Sequence, residues 1–289
     1  MAAAALLPDT KAGGHRPPYD LSHVKKEYAL IDIGANLAHD SFDADREALL
    51  QRAWDAGLEA IIVTGSSAAS NEQALQLART HPGRLYSTAG LHPHHASEWD
   101  EMLAASIAEL AREPQVVALG ECGLDYFRNY SPHEDQRRAF IAQLGLAVQA
   151  DKPLFLHQRD AHADFHAILR DYRRAIPGCV VHCFTDNAEA LDAYLALDCH
   201  IGITGWVCDE RRGLDLRELV KRIPAERLLI ETDAPYLLPR SIKPSPKHRR
   251  NEPAFLPWVL RAIAEVRGED AAQLGAQTVA NTRRLFGIA

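Results

Sequence analysis

From about residue 29 to its C-terminus the chain alternates short apolar runs with amphipathic stretches. Ala29-Leu-Ile-Asp-Ile33 has the composition of a buried strand and stops at Gly34-Ala-Asn36. Apolar positions then recur at helical spacing over 43–56, with Ala48, Leu49, Ala53 and Trp54 on one face and Gly57 as the stop signal. The same unit repeats as strand 58–64 with helix 71–79, strand 85–91 with helix 102–111, and strand 116–121 with helix 133–150. It continues as strand 153–157 with helix 161–173, strand 179–182 with helix 188–197, and strand 200–204 with helix 214–221. A last strand over 227–233 leads to two helices near 254–266 and 270–285. About eight β/α alternations over roughly 250 residues predict an α/β fold of the (β/α)8, TIM-barrel type. A doubly wound open sheet is the main alternative, but the Gly-x-Gly-x-x-Gly turn it would carry after an early strand is absent. With no repeat or linker in view, residues 29–289 read as a single barrel domain. Residues 1–28, rich in Ala, Gly, Pro and His, read as a poorly ordered N-terminal extension.

Several of the apolar runs end in a residue type that ligates metals. Glu121 closes Val116-Val-Ala-Leu-Gly-Glu121 and sits between Gly120 and Gly123, which let other groups approach its backbone. His157 closes Pro153-Leu-Phe-Leu-His157, His182 closes Cys179-Val-Val-His182, and Asp233 closes the run 227–233. Asp32 and Asn36 end the first strand, and His92 and His94 follow the third. In a parallel barrel these ends share the face on which active sites of this fold lie. Any one of them has an ordinary explanation, such as a hydrogen-bonded core histidine or a capping carboxylate. Their succession at strand ends is what points to a divalent cation. Imidazole nitrogen and carboxylate oxygen suit zinc, manganese or a related ion, whereas magnesium prefers oxygen and keeps several waters. His162 and His166 share a helical face but lack the glutamate of a His-Glu-x-x-His pair, and they read as helix surface.

Composition narrows the picture further. With 47% hydrophobic and 25% charged residues, the 289-residue chain reads as globular with a sizeable core. A formal charge of −7 excludes a protein that coats nucleic acid by bulk electrostatics, but leaves room for a local basic groove. No apolar run approaches the roughly 18 residues that a membrane span needs. The apolar start Met1-Ala-Ala-Ala-Ala-Leu-Leu-Pro8 has no basic segment before it, since Lys11 and Arg16 come only afterwards, so a secretory signal is not expected. The five cysteines are odd in number and lack a Cys-x-x-Cys pair, as expected of small buried hydrophobes in a reducing cytoplasm.

At the strand ends the sequence also resembles a known family. Gly120-Glu-Cys-Gly-Leu-Asp125, His157-Gln-Arg-Asp-Ala-His162, His182-Cys-Phe-Thr185, Ile201-Gly-Ile-Thr-Gly205 and Glu231-Thr-Asp-Ala-Pro-Tyr236 are similar to motifs of the TatD family of metal-dependent deoxyribonucleases, in the amidohydrolase superfamily. Gly205-Trp-Val-Cys-Asp-Glu-Arg-Arg-Gly213 and Arg250-Asn-Glu-Pro253 resemble TatD proper rather than its paralogues. The resemblance runs over nearly the whole chain apart from the extension. It implies a 3′→5′ exonuclease acting mainly on single-stranded DNA, with RNA as a further substrate. It also implies one or two divalent ions, magnesium first, with manganese and zinc as alternatives. By the same resemblance Glu121, His157 and His182 are metal ligands, and Asp233 is a ligand or the base that aligns the attacking water. Asp32 and Asn36 are further candidate ligands. One departure stands out: many relatives carry Asp-x-His-x-His after the first strand, and this chain has Asp32-Ile-Gly-Ala-Asn36. Gly34 cannot ligate and Asn36 is a weak oxygen donor, so weaker or exchangeable metal loading is expected.

The chemistry expected from this set follows charge. Phosphodiester hydrolysis builds negative charge on the non-bridging oxygens and the departing 3′-oxygen, which a cation held by Glu121, His157 and His182 would stabilise. Asp233 would take a proton from the attacking water, and a nucleoside 5′-monophosphate would leave. Substrate-gripping candidates are His92, His94, Arg128 and Arg159, with the basic run 243–250, which holds Lys243, Lys247, His248, Arg249 and Arg250. A solvated basic loop is the ordinary alternative for that run. Phe184, Trp206 and Tyr236 are candidates for stacking on a terminal base, or for pocket wall. Two other functions remain open at this point. One is a metal-dependent hydrolase of a small amide, lactone or ester in a narrow apolar pocket. The other is a non-catalytic metal-containing binding protein, against which the carboxylate of Asp233 counts. The leading expectation is a monomeric cytoplasmic nuclease that meets the 3′ end of DNA, with no membrane partner, in DNA repair or clearance.

Overall fold

The computed structural model describes residues 27–244, 246 and 249–289. Eight strands lie side by side, all parallel, in chain order. They are β1 (Leu30–Ala35), β2 (Leu58–Val63), β3 (Leu85–Ala89), β4 (Val116–Asp125), β5 (Leu154–Arg159), β6 (Cys179–Val181), β7 (His200–Ile203) and β8 (Leu228–Ile230). Helices alternate with them: α1 (Arg46–Asp55), α2 (Ala68–Thr80), α3 (Glu101–Leu110), α4 (His133–Ala150), α5 (His162–Tyr172), α6 (Ala188–Ala196), α7 (Leu214–Val220) and α8 (Leu256–Arg267), with α9 (Ala271–Phe286) at the end. The seam between β8 and β1 closes through Asp233 N–H to Gly34 O at 2.8 Å and Asn36 N–H to Ala234 O at 2.7 Å. The architecture is a (β/α)8 barrel.

Period-two alternation along the strands divides the core into two. Ile31 and Ile33, Ala60 and Ile62, Val117, Phe155, Val180 and Leu229 fill the barrel interior, and Phe286 and Ile288 of the C-terminal segment join that cluster. The other side chains of the strands pack on the helices in a larger outer layer. Local signals set the helix bounds. Asp100 accepts the Leu103 N–H at the start of α3, Asn187 caps α6, and Gly268 ends α8 in the left-handed conformation.

Element positions match the sequence expectation to within a few residues, with one informative exception. The last strand stops at Ile230 rather than running to Asp233. Glu231 N–H still bonds Ile203 O on β7, but Asp233, at φ +55°, bonds β1 instead. The chain crosses from one neighbour to the other to close the barrel, and a left-handed residue cannot continue a strand. Residues 1–26, where most of the expected N-terminal extension falls, lie outside the described residues. So do Lys247 and His248 of the basic run. No helix among the described residues is long and apolar enough to cross a membrane. The five cysteines are free thiols, four of them buried.

Candidate active site

Strand ends on the C-terminal face surround a cavity of about 970 Å³ lined by Asn36, His92, His94, Glu121, Asp125, His157, His182 and Asp233, among others. Phe155 of the barrel interior lies beneath it, with its ring 4.6 Å from that of His182. The backbone at the end of β4 brings Glu121 to the centre. Gly120 has φ +125°, and a Cβ there would land on the carbonyl oxygen of Phe155 on β5. Only glycine permits that conformation and that approach.

Three imidazoles surround one oxygen of Glu121. Oε1 lies 2.8 Å from His182 Nε2, 3.1 Å from His157 Nδ1 and 3.3 Å from His92 Nε2. Two of these rings have a carboxylate behind their other nitrogen. His182 Nδ1 is 3.4 Å from Glu231 Oε2, and His157 Nε2 is 3.3 Å from Asp125 Oδ2. The second contact is close enough for an ion pair but misaligned for a hydrogen bond, which leaves His157 Nε2 buried without a hydrogen-bond partner. A carboxylate behind a ring nitrogen fixes tautomer and orientation and aims the opposite nitrogen, the arrangement found behind metal-ligating histidines. Asp125 is held in turn by the backbone N–H groups of Phe127 and Arg128 and by His94 Nε2 at 2.8 Å.

His92 stands differently. His92, Glu121 and His157 can each offer one ligand atom within 4.8 Å of the others. Yet His92 Nδ1 accepts the backbone N–H of His94 at 3.1 Å. A neutral ring that accepts at Nδ1 carries its proton on Nε2, so His92 presents a donor to the cavity rather than a lone pair. Burial lowers its pKa to about 4, which keeps it neutral near pH 7.

The carboxylates are tuned in opposite directions. Burial would raise Glu121, but the charge of His182 and hydrogen bonds from His157 and His182 hold it well below the ordinary range. Burial likewise works against protonation of His182, yet Glu121 and Glu231 raise its pKa well above that of a free imidazole. That proton balances a cluster rich in negative charge, a role a bound cation would take over. Asp233 lies in the same cavity with Oδ1 accepting from Asn36 Nδ2 at 3.0 Å. Burial raises its pKa to about 7, with Glu121 and Glu231 adding to the rise and His182 opposing it. The Cys183 thiol also lines the cavity, and burial with Asp233 and Glu231 nearby pushes it well above the ordinary range, so it stays protonated and is no nucleophile.

Of the residues singled out from sequence, Glu121, His157, His182, Asp233, Asn36, His92, His94, Arg128, Arg159 and Arg249 all line this cavity. Asp32 does not. Its buried carboxylate accepts the Thr232 N–H at 3.0 Å and hydroxyl at 2.5 Å, and the Gly34 N–H at 3.2 Å, which ties β1 to the loop that carries Asp233. Arg250 is also elsewhere, forked onto Asp45 at 2.7 and 2.9 Å. His162 bonds the Tyr194 hydroxyl and enters no ligand group among the described residues. Two functional carboxylates went unassigned, Asp125 and Glu231. Both stand inside quoted motifs, Asp125 at the end of β4 and Glu231 just after β8, so the strand-end rule could have found them. Glu231 matters most. It accepts the Cys183 N–H at 2.6 Å, and a Cβ on Gly34 would fall 2.6 Å from its Oε2. The room that a side chain at position 34 would need is taken by Glu231 and by the Phe155 ring, 2.8 Å from the same point.

A model of the TatD-related DNase family matches residues 31–287. The 3′-5′ ssDNA/RNA exonuclease TatD of Escherichia coli K12 is 53% identical over 260 residues, spanning 90% of this chain and 100% of that protein. The protein of the same name from Erwinia billingiae is 54% identical over 259 residues, spanning 90% and 99%. Among solved structures, the TatD homologue YjjV of Escherichia coli K12 superposes with a TM-score of 0.82 at 29% identity, covering 92% of this chain and 100% of that one.

Proposed function

The chain belongs to the TatD-related DNase family, and from that premise we propose that it is a metal-dependent 3′→5′ exonuclease that hydrolyses phosphodiester bonds of single-stranded DNA and RNA. The observation that carries this reading is the Glu121 oxygen surrounded by imidazoles, two of them backed by carboxylates. This donor set fits a divalent cation. His157 Nδ1, His182 Nε2 and Glu121 would hold it, with Asp233 at its edge and Asp125 and Glu231 behind the rings. The two carboxylate oxygens of Glu121 would allow one ion or two. Magnesium is the proposed ion, and two imidazole donors make manganese or zinc effective substitutes. When bound, the cation supplies charge to stabilise the phosphoryl oxygens and lowers the pKa of a coordinated water.

The chain's own residues do the rest. Asp233 accepts a proton from the attacking water. Asn36 fixes this carboxylate by donating to Oδ1, which leaves Oδ2 for that proton. His92, neutral with its proton on Nε2, donates a hydrogen bond to a non-bridging phosphate oxygen. Arg128 and Arg159 flank the exposed ring of Phe127, with the Arg159 guanidinium 4.1 Å from its centroid. Together they offer a terminal nucleotide both charge and a stacking surface. We place the catalytic unit at residues 29–289, acting as a monomer in the cytoplasm, with clearance or repair of DNA ends as its role.

The test is direct. Protein stripped of metal is incubated with a 5′-labelled single-stranded oligonucleotide, with and without magnesium, beside an Asp233→Ala control. A ladder shortening from the 3′ end, dependent on metal and absent in the variant, is expected. Intact oligonucleotide across magnesium, manganese and zinc would overturn the reading.

A further inference from the structure

Two grooves adjoin the active-site cavity, and they differ in charge. The first is walled in part by Leu237, Leu238 and Pro239 and carries Arg211, Arg212, Arg240, Lys243 and Arg249 against the single carboxylate Asp209. The second carries Asp160, Asp186, Asp215 and Glu218 against Arg159 and Arg212. Trp206 and Arg212 line the cavity and both grooves, so they mark the branch point. A strand longer than the cavity has to leave past them and take one branch.

The cations of the first groove are largely uncommitted. Lys243 and Arg249 have no carboxylate partner among the described residues. Arg211 and Arg212 reach Asp209 only at 3.6 and 3.9 Å, from side chains 56% and 67% exposed. Arg240 alone is paired well, with Glu210 at 3.2 Å. The Arg212 guanidinium stands 5.4 Å from the centroid of the Trp206 ring. A cation beside an indole at the mouth of a basic groove is the pairing that single-stranded nucleic acid uses, one group for phosphate and one for a base. The second groove presents four carboxylates to the same backbone and repels it.

Resting on the nuclease reading above, we infer that the first groove is the upstream strand subsite. The nucleotides 5′ to the scissile phosphate pass over Trp206, where one base stacks. Their phosphates then lie against Arg212, Arg240, Lys243 and Arg249, while the acidic groove turns the strand away. The enzyme thereby gains affinity from several nucleotides of single strand that play no part in the chemistry. A duplex end has no free strand to lay there, so the groove selects single-stranded ends.

Arg240 and Lys243 lie in this groove but outside the catalytic cavity, which makes them the probes. Binding of a 5′-fluorescein ten-nucleotide strand is read by anisotropy in an Asp233→Ala background, across a salt series. Hydrolysis of the same strand and of a dinucleotide is read in the magnesium-loaded parent. Arg240→Glu/Lys243→Glu should weaken binding of the ten-mer about tenfold and flatten the salt slope by about 1.4, two single-strand phosphate contacts at ~0.7 each. Dinucleotide turnover should stay at the parental level. Lys243→Glu alone, at an exposed side chain, should give about half that change in slope and covers the case in which loss of the Arg240–Glu210 pair disturbs the loop. Asp215→Lys/Glu218→Lys in the acidic groove relieves repulsion and should not weaken ten-mer binding. Unchanged ten-mer binding in both Lys243 variants overturns the inference, as does a larger loss of affinity from the acidic-groove variant. A parent that cleaves neither substrate defeats the nuclease reading itself, an outcome separate from these.

Discussion

At the scale of single residues, the site depends on how Glu231 is packed. Its carboxylate backs His182, accepts the Cys183 N–H and sits where side chains on Gly34 and Gly202 would intrude, each would-be Cβ falling 2.6 Å from one of its oxygens. Gly34→Ala should therefore displace a buried carboxylate rather than merely restrict the backbone. The expected result is a fall in metal affinity of ten- to a hundredfold, the usual scale for disturbing a group behind a ligand, read by calorimetric titration with manganese. An affinity equal to the parent's would mean that Glu231 does not aim His182. Asp233→Asn keeps the shape and the bond from Asn36 but cannot accept a proton. It should lower kcat by about 10² to 10⁴ while anisotropy shows the strand still bound. A variant with parental kcat would remove Asp233 from proton transfer. Most of the central residues were legible in the sequence, because Glu121, His157, His182 and Asp233 each end an apolar run. Glu231 was not assigned, since a carboxylate two residues before another reads as its flank. Its role depends on contacts with residues 34, 182 and 202, and no local pattern encodes them.

At the scale of elements, a network of four charges fastens α1 to the loop between β8 and α8. Asp45 receives Arg250 and Arg52, and Arg52 also grips Glu252, which is buried, at 2.7 Å. In the sequence Arg250 reads as a phosphate ligand because it belongs to a basic run. Which member of such a run turns inward is decided by a carboxylate some 200 positions away, and periodicity carries no trace of that. Burial would raise the Asp45 pKa, but hydrogen bonds and charge from Arg250 and Arg52 prevail and lower it. A lowered folded-state pKa gives stability that is present above the ordinary aspartate range and is lost as pH falls through the folded value. Asp45→Asn should therefore destabilise the protein by about 1 to 3 kcal/mol at pH 7, because Arg250 loses its carboxylate and Arg52 keeps only its pairing with Glu252. In denaturant titrations the gap between variant and parent should narrow as pH drops below about 4. A gap independent of pH would assign the loss to packing instead. The end of the last strand has the same kind of cause. Residues 227–233 carry a strand's composition, but β8 gives way at Ile230 because the chain must leave β7 to close on β1.

At the scale of the whole molecule, the barrel brings to one face charges that the bulk composition conceals. A net charge of −7 coexists with a mouth bearing Arg128, Arg159, Lys243 and Arg249, none of which has a carboxylate partner among the described residues. The acidic surplus extends into the cavity floor, where Glu121 and Asp125 of β4 and Glu231 and Asp233 of the loop after β8 converge on two histidines. Gathering these carboxylates opposes folding unless protons or a cation offset their charge, so metal binding and barrel stability are linked. The folded state alone holds the ligands together, and a metal at about a hundred times its Kd should add about 2.7 kcal/mol. For a domain of this size that corresponds to a rise in Tm of roughly 5 °C. Scanning calorimetry of stripped protein, with magnesium, manganese or zinc added, should show the rise, and chelation should reverse it. Glu121→Gln should abolish it, because the amide loses the charge that both histidines share, while the barrel beneath, filled by Ile33, Ile62, Phe155 and Leu229, stays packed. A Tm indifferent to metal in the parent would separate the site from the fold. The carboxylates would then be stabilised by protons on His182 and Asp233 alone.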